Sequence, residues 1–275
     1  MPLDLESFPI KGMRRGRELS WDPHSIDLSN DRADWDTLND NEKELLYGNI
    51  VGFLIGERAV AHDLAPLQLA LRGERGRMDE EMYLSQQTFE ESVHVEFFTR
   101  WLEVVLGDLS PEEYPKLEGE PSKIIHEILP NAMNALFEDK SPKTQLTASV
   151  VYHGIVEGVL AEVGYQIFYD CIDQKGILRG LREGFRNIQV DESRHIAFGT
   201  YLAQRIIKDN PDLESHFIEE MDKHLDVSFH SASYSFKKFG ESMPFDLVEQ
   251  KYLDLTKSLH ERRKDAVIQG HLVEV

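Results

Sequence analysis

The chain has 275 residues, of which 41% are hydrophobic and 29% are charged, so it is too apolar to be disordered and too charged to be a membrane protein. Its formal net charge of -20 would repel phosphate backbones, which excludes nucleic acid as a partner but is compatible with metal cations. The single cysteine, Cys171, excludes disulfides within the chain and thiolate zinc sites, and the N-terminal stretch lacks the pattern of a secretory signal. We therefore expect one cytoplasmic globular domain over residues 1–275.

Taken in chain order, the sequence predicts an irregular arm followed by helices. Residues 1–40 contain proline, glycine, Asp and Asn without a sustained period. Beyond them, apolar residues recur at three- and four-residue spacing, which predicts helices at about 41–65, 78–106, 121–138, 143–172, 176–208, 211–239 and 245–265. No convincing β alternation occurs. Long helices in one domain predict an all-α antiparallel bundle, in which side chains of facing helices meet in a shared interior.

The apolar run at 146–169 is long enough to cross a bilayer. It carries His153, Glu157 and Glu162 well inside it, and ionisable groups at such positions favour a buried helix of a bundle. We therefore expect no stable membrane insertion.

Two short stretches, EESVH at 90–94 and DESRH at 191–195, spell nearly the same five residues. In each, a glutamate precedes a histidine by three positions: Glu91 precedes His94, and Glu192 precedes His195. Residues three apart project from one face of a helix, so each pair can meet one ligand. The motif alone is weak evidence, because a protein with 11 histidines produces such pairs by chance.

A lone glutamate lies in an apolar run before each stretch. Glu57 precedes Glu91 by 34 residues and Glu157 precedes Glu192 by 35, so each half of the chain has the same pattern. An unpaired carboxylate in a core is costly unless a cation lies beside it. Metal ions would supply that charge to all four glutamates together. The alternative is that the glutamates pair with Lys or Arg, for which Arg58 and Arg194 are available, and that the histidines are ordinary core or surface residues.

Four carboxylates and two imidazoles from four facing helices are the donor set of dinuclear carboxylate proteins. Oxygen-rich ligation with one nitrogen per metal suits iron or manganese and does not suit a closed zinc site. Asp191, directly before Glu192, is a candidate acceptor that orients a ligand histidine, the alternative being a solvated helix acid. The six predicted ligands are Glu57, Glu91, His94, Glu157, Glu192 and His195.

The motifs GERAV (56–60), EESVHVEFF (90–98), VVYHGIVEG (150–158) and DESRHIAFG (191–199) resemble the ferritin-like superfamily over about residues 15–240. Within it, the sequence is most similar to the ribonucleotide reductase small subunit and to the small-subunit-like ligand-binding oxidases, which hold a mixed manganese and iron centre. The resemblance implies that Glu57, Glu91 and His94 hold manganese. It implies that Glu157, Glu192 and His195 hold iron and that Glu91 bridges the two metals.

The resemblance also implies an ether cross-link between Val60 and Tyr152, formed during assembly with dioxygen. Val60 lies three residues after Glu57 and shares its helix face. Tyr152 lies five residues before Glu157, roughly 140° around an ordinary α-helix, so its placement rests on the resemblance alone. Phe98 stands where the reductase subunit carries its radical tyrosine, which disfavours ribonucleotide reduction.

The family resemblance implies a homodimer and a bound long-chain fatty acid or similar apolar molecule beside the metals. Phe53, Phe97, Phe98 and Phe198 are candidates to line its pocket, although plain core packing is the commoner role of such residues. Trp35 is compared with a redox-relay tryptophan of the reductase, with ordinary packing as the alternative.

The sequence thus predicts an oxidoreductase that activates dioxygen at a manganese and iron pair and performs a two-electron oxidation. Three alternatives remain: a diiron monooxygenase or desaturase with two irons in the same positions, a ribonucleotide reductase small subunit, and an iron-storage bundle.

Overall fold

The computed structural model describes residues 3–74, 76–107 and 119–270, and the part of the protein that it describes contains helices and no strand. The all-α prediction is therefore confirmed. The α-helices are α1 (Phe8–Leu19), α2 (Asp31–Asp36), α3 (Asp40–Asp63), α4 (Ala65–Arg72), α5 (Met78–Leu106), α6 (Gly119–Lys123), α7 (Leu129–Glu138), α8 (Pro142–Ser149), α9 (Glu162–Ile172), α10 (Arg179–Asp209), α11 (Glu214–Lys223), α12 (Leu225–Phe239) and α13 (Glu249–Ile268). Two π-helical segments, Ile124–Ile128 and Val150–Ala161, continue α6 into α7 and α8 into α9.

The centre of the bundle consists of two packed pairs. Helix α3 packs along α5, and the π-helical segment Val150–Ala161 packs along α10. Helix α3 begins with a capping box, in which Asn39 and Glu42 each accept from the other's backbone N–H. The apolar stretch Pro142–Ile172 passes through the core as one continuous helical run, and 72% of its most apolar window is buried. It is a core helix of the bundle, as the ionisable residues inside it predict.

The N-terminal arm differs from its prediction as an irregular segment. Residues Phe8–Leu19 form the three-turn helix α1, which packs against α5 and α10. Gly12 and Gly16 allow this close approach, because a Cβ at Gly12 would lie 2.7 Å from the ring of Tyr83. Glycine-rich segments have low helix propensity, so the helix depends on tertiary packing that no local pattern reveals.

The helix predicted at about 41–65 ends close to that boundary: α3 stops at Asp63, and a separate helix, α4, begins at Ala65 and accommodates Pro66 in its first turn. The segment predicted at 211–239 is divided at His224 into α11 and α12.

Candidate metal centre

The six side chains predicted as ligands converge in the core from four helical elements. Glu57 comes from α3, Glu157 from the π-helical segment Val150–Ala161, and the two Glu-x-x-His pairs come from α5 and α10. All six are buried, with at most 5% of any residue exposed. Their donor atoms form two sets of four within 4.8 Å of one another. The first set is Glu57, Glu91, His94 and Glu192, and the second is Glu91, Glu157, Glu192 and His195.

The first set is centred on Nδ1 of His94. This atom lies 3.2 Å from Oε2 of Glu57, 3.4 Å from Oε2 of Glu91 and 3.6 Å from Oε1 of Glu192. These three carboxylate oxygens and the imidazole nitrogen surround a space in which a cation could bind.

The second set is centred on Nδ1 of His195. This atom lies 3.2 Å from Oε1 of Glu91 and 3.7 Å from both Oε1 of Glu157 and Oε2 of Glu192. Glu91 therefore turns one oxygen toward each histidine, as does Glu192. Both glutamates therefore belong to both donor sets, whereas the resemblance implied a single bridging carboxylate, Glu91.

Four buried atoms of the cluster have no hydrogen-bond partner among the described residues. They are Oε2 of Glu91, Oε2 of Glu157, Oε2 of Glu192 and Nδ1 of His195. Buried polar atoms normally have a partner, and unpartnered lone-pair donors on both the His94 side and the His195 side fit a metal pair. The donor set, rich in oxygen with one nitrogen on each side, suits iron and manganese.

The charges of the cluster also fit two cations. Burial raises the pKa of Glu57 to about 8, against the opposing effect of His94. Burial and the neighbouring Glu192 raise the pKa of Glu157 well above its usual range. Burial alone would raise the pKa of Glu91, but His195 and His94 outweigh it and hold that pKa well below its usual range. Added positive charge would let all the carboxylates ionise.

Arginine does not provide that charge. Arg58 is exposed, and Arg194 instead contacts two outer carboxylates, with its Nη2 2.7 Å from Oε1 of Glu90 and 2.5 Å from Oδ1 of Asp191. Across residues 3–74, 76–107 and 119–270, no lysine or arginine forms an ion pair with the four cluster glutamates. The alternative in which arginine pairs with these glutamates is therefore wrong.

Each cluster histidine directs its other ring nitrogen to an outer carboxylate. Nε2 of His94 lies 3.2 Å from Oδ2 of Asp191, and Nε2 of His195 lies 2.8 Å from Oε2 of Glu90. Both contacts join the two helices: Asp191 of α10 contacts His94 of α5, and Glu90 of α5 contacts His195 of α10. Such partners fix the orientation of a ligand histidine. Asp191 is buried rather than solvated, as the predicted acceptor role requires.

The sequence reasoning missed Glu90. Its signal was present, because an acid stands directly before the glutamate in both EESVH and DESRH. Trp21 was also missed: its Nε1 donates to Oδ2 of Asp191 at 2.8 Å, and its ring stacks over His94 at 6.3 Å between centroids. Trp35, considered as the relay tryptophan, instead packs edge-on against Trp101.

Tyr152 lies beside the cluster because the backbone around it is π-helical. In a π-helix the hydrogen bonds join residues five apart, so Tyr152 and Glu157 reach nearly the same side of the segment. The Oη of Tyr152 donates to Oε1 of Glu91 at 3.1 Å and lies 3.3 Å from the backbone oxygen of Val60. Burial and the nearby carboxylates, Glu91 first, raise the pKa of the phenol well above its usual range. The phenol is therefore protonated and hydrogen-bonded beside Val60.

A cavity of about 240 Å³ extends from the cluster along α3. Its inner end touches Glu57, Glu157 and Glu192, and its outer end reaches Glu44 and Lys238. Thirteen residues separate Glu57 from Glu44 on α3, which corresponds to roughly 20 Å at the rise of an α-helix. The apolar wall includes Gly48, Gly52, Gly56, Val156, Leu160 and Ala232. An elongated, largely apolar molecule fits this shape.

Among the four phenylalanines considered as pocket lining, Phe53 lines the cavity. Phe97, Phe98 and Phe198 are fully buried and pack within the core, so their predicted pocket role is wrong. Phe97 and Phe98 face neighbouring aromatic rings, and Phe198 stacks on Tyr83 at 4.2 Å between centroids.

Comparison with known proteins identifies relatives over nearly the whole length of this protein. The family model for the ribonucleotide reductase small chain matches residues 11–235. An R2-like ligand-binding oxidase with an aerobically reconstituted Mn/Fe cofactor is 30% identical, with a TM-score of 0.90 over 96% of this chain and 94% of that chain. The R2-like ligand-binding oxidase from Sulfolobus acidocaldarius is 33% identical, with a TM-score of 0.86 over 97% and 92%. These similarities confirm the predicted resemblance and the ferritin-like bundle.

Proposed function

This chain belongs to the ribonucleotide reductase small-chain family, among its R2-like ligand-binding oxidases, and on that premise we propose that it is a manganese and iron oxidase that activates dioxygen. The observation that carries the proposal is the buried cluster whose two donor sets share Glu91 and Glu192. When bound, the metal pair would supply the reduction of dioxygen, and the protein would supply ligands, orientation and a dry cavity.

In this proposal, Glu57 and His94 would hold manganese, and Glu157 and His195 would hold iron. Glu91 would be shared by both metals, and its separate oxygens beside His94 and His195 support that role. Glu192 has the same arrangement and is a second shared carboxylate. Two irons in the same positions are the alternative, because they would use the same donors.

We propose that the first two-electron oxidation joins Val60 to Tyr152. One C–H bond of the Val60 isopropyl group and the O–H bond of Tyr152 break, and an ether bond forms between that carbon and Oη. Two protons and two electrons leave, and dioxygen takes up the electrons. Oε1 of Glu91, 3.1 Å from Oη, is placed to accept the phenol proton. The contact of Oη with the Val60 backbone supports the pairing.

Intact mass spectrometry tests this function directly. After aerobic loading with manganese and iron, the protein should lose the mass of two hydrogens, and peptide mapping should join Val60 to Tyr152. Tyr152→Phe removes the phenol and should leave the mass unchanged while both metals still bind. Two bound metals with an unchanged wild-type mass would leave a diiron monooxygenase or desaturase as the better assignment.

We propose that the cavity along α3 binds a long-chain fatty acid or a similar apolar molecule. Its length, its apolar wall and its contact with three cluster glutamates support this ligand. A Cβ at Gly48 would meet no atom within 4 Å, so Gly48→Leu should occupy the cavity without a clash. Binding of a labelled fatty acid to the metal-loaded protein should weaken at least about tenfold, since the added side chain takes the place of the acyl group.

Gly164→Ala provides the contrast for that experiment. Gly164 lines the same cavity, but a Cβ there would lie 2.8 Å from Cζ of Phe53. This variant should lose about 1–3 kcal/mol of stability through overpacking, measured by thermal unfolding. Unchanged fatty acid binding in Gly48→Leu would show that the ligand does not follow α3.

Phe98 argues against the reductase subunit as the function of this member of the family. The ring packs between Phe53 and Phe185 and carries no hydroxyl group that could form a phenoxyl radical. A radical handed to a separate large subunit would therefore need another origin in this protein.

We further propose a homodimer, from the family resemblance, and a cytoplasmic location, from the single cysteine. Burial raises the pKa of the Cys171 thiol, so this cysteine stays a protonated thiol, which is compatible with a reducing compartment. Sedimentation of the metal-loaded protein should give twice the 31.7 kDa mass of one protomer.

A further inference from the structure

Two fully buried side chains beside the cluster, Gln87 and His153, have no part in the proposed ligand set. Gln87 lies on α5 one turn before Glu91, and His153 lies in the π-helical segment Val150–Ala161, next to Tyr152. Nε2 of Gln87 donates to Oε1 of Glu157 at 3.0 Å. The other end of the same amide, Oε1, lies 3.4 Å from Nε2 of His153. A series of hydrogen bonds therefore leads from the histidine to a cluster carboxylate.

The hydrogen bond between His153 and Gln87 has one possible direction when the amide NH₂ group faces Glu157. An amide oxygen only accepts, so Nε2 of His153 carries the proton and donates to Gln87. The ring is neutral, because burial lowers the pKa of His153 to about 3. The other ring nitrogen, Nδ1, lies 3.3 Å from the hydroxyl oxygen of Ser149. With its oxygen held by His153, the Gln87 amide can present only its NH₂ group to Glu157.

A glycine on the opposite helix supports the same position for His153. A Cβ at Gly199 of α10 would lie 2.2 Å from Cβ and 2.5 Å from Cγ of His153. Even alanine at Gly199 would therefore displace the imidazole. The π-helical segment and α10 approach each other closely at this point, so the imidazole packs directly against Gly199.

We propose that Gln87 and His153 are positioning residues that fix the orientation of the Glu157 carboxylate for the metal on the His195 side. Gln87 holds Oε1 of Glu157 by its NH₂ group, and His153 prevents the amide from turning over. The same oxygen, Oε1, lies 3.7 Å from Nδ1 of His195, so the amide fixes the oxygen that faces the His195 side, while Oε2 has no partner among the described residues. This inference rests on the proposed metal pair and adds to it the residues that aim one ligand.

Metal-binding measurements on the holoprotein test the proposal. Gln87→Leu removes the donor to Glu157 and should weaken metal binding at the His195 side by about tenfold, as loss of a partner of a ligand usually does. The affinity would be measured by chelator competition for manganese and iron, and the electron paramagnetic resonance spectrum of the metal pair would be recorded. That spectrum should change, because the geometry at Glu157 changes.

Two variants of His153 separate positioning from packing. His153→Gln keeps an N–H donor that can reach Gln87 and should retain metal binding and the spectrum within about threefold of the wild type. His153→Leu keeps the bulk without the donor and should resemble Gln87→Leu. If His153→Gln and His153→Leu behave alike, or if Gln87→Leu leaves both affinity and spectrum unchanged, the proposal is wrong. The His153 pair decides the question even if Gln87→Leu does not fold.

Gln166→Leu is the matched control. Gln166 also donates its amide to a carboxylate, Oδ1 of Asp170 at 2.9 Å, but on α9 outside the cluster. It should leave metal affinity and spectrum unchanged. A wild-type protein that binds no metal pair would overturn the proposed function together with this inference. A wild type that binds two metals, with a Gln87→Leu variant indistinguishable from it, would overturn only the positioning role.

Discussion

The cluster has two halves with the same donor types but different neighbours. The His94 half receives Glu57 from the regular helix α3, and its outer carboxylate, Asp191, continues to the partly exposed indole of Trp21. The His195 half receives Glu157 from a π-helical segment, and its surroundings are the buried side chains Gln87 and His153. The outer carboxylate of one half thus leads through Trp21 toward the surface, whereas Glu157 of the other half is held by two buried polar side chains.

This difference shows that a repeated sequence pattern does not produce equivalent sites. Both halves begin from an acid followed by E-S-x-H, yet the outer acid is an aspartate in one half and a glutamate in the other. Arg194 joins Glu90 to Asp191, so the two outer carboxylates share one cation. The two halves have the same types of donor atom but different neighbouring residues. This difference provides a physical basis for two different metals in one centre.

The largest effect is expected at the carboxylate that both halves share. Glu91→Ala removes an oxygen from each donor set, so both metals should be lost and no ether should form. Glu57→Ala removes a donor from the His94 half alone and should leave about one metal per protomer. Elemental analysis after aerobic loading, together with intact mass, would measure both results. Two metals retained in Glu91→Ala would contradict the sharing of this carboxylate.

The outer carboxylates allow the halves to be perturbed one at a time. Asp191→Asn should weaken the metal beside His94, and Glu90→Gln should weaken the metal beside His195, each by about 10- to 100-fold. Each change keeps size and removes charge, so the two variants control for each other. Chelator competition with anomalous diffraction at each metal edge would show which position is emptied. If both variants empty the same metal position, then the Asp191–His94 and Glu90–His195 contacts do not act on the two metal positions separately.

The six converging side chains could be predicted because their signals are local. Two Glu-x-x-His pairs at helical spacing and two lone glutamates in apolar runs are visible without knowledge of the fold. Glu90 could have been found by the same comparison of the two stretches. Gln87 lies one turn before Glu91 on the same face, so helical periodicity points to it as well.

Other features could not be predicted, because they depend on backbone geometry or tertiary contact. Ordinary helical spacing places Tyr152 away from Glu157, and only the π-helical backbone turns both toward the cluster. Trp21 reaches Asp191 across 170 residues of sequence. Helix α1 is stabilised by packing of its glycine face on α5, for which the arm itself contains no periodic signal.

The smallest effect is expected at the surface end of the His94 half. Trp21→Phe keeps a ring over His94 but removes the N–H group that donates to Asp191 at 2.8 Å. Asp191 keeps its contacts with Arg194 and His94, so metal affinity beside His94 should fall by only about threefold, as for one modest hydrogen bond. Trp35→Phe, which changes an indole packed on Trp101, is the matched control and should leave that affinity unchanged. A loss in Trp21→Phe as large as that in Asp191→Asn would mean that the indole, rather than Arg194, holds the aspartate in place.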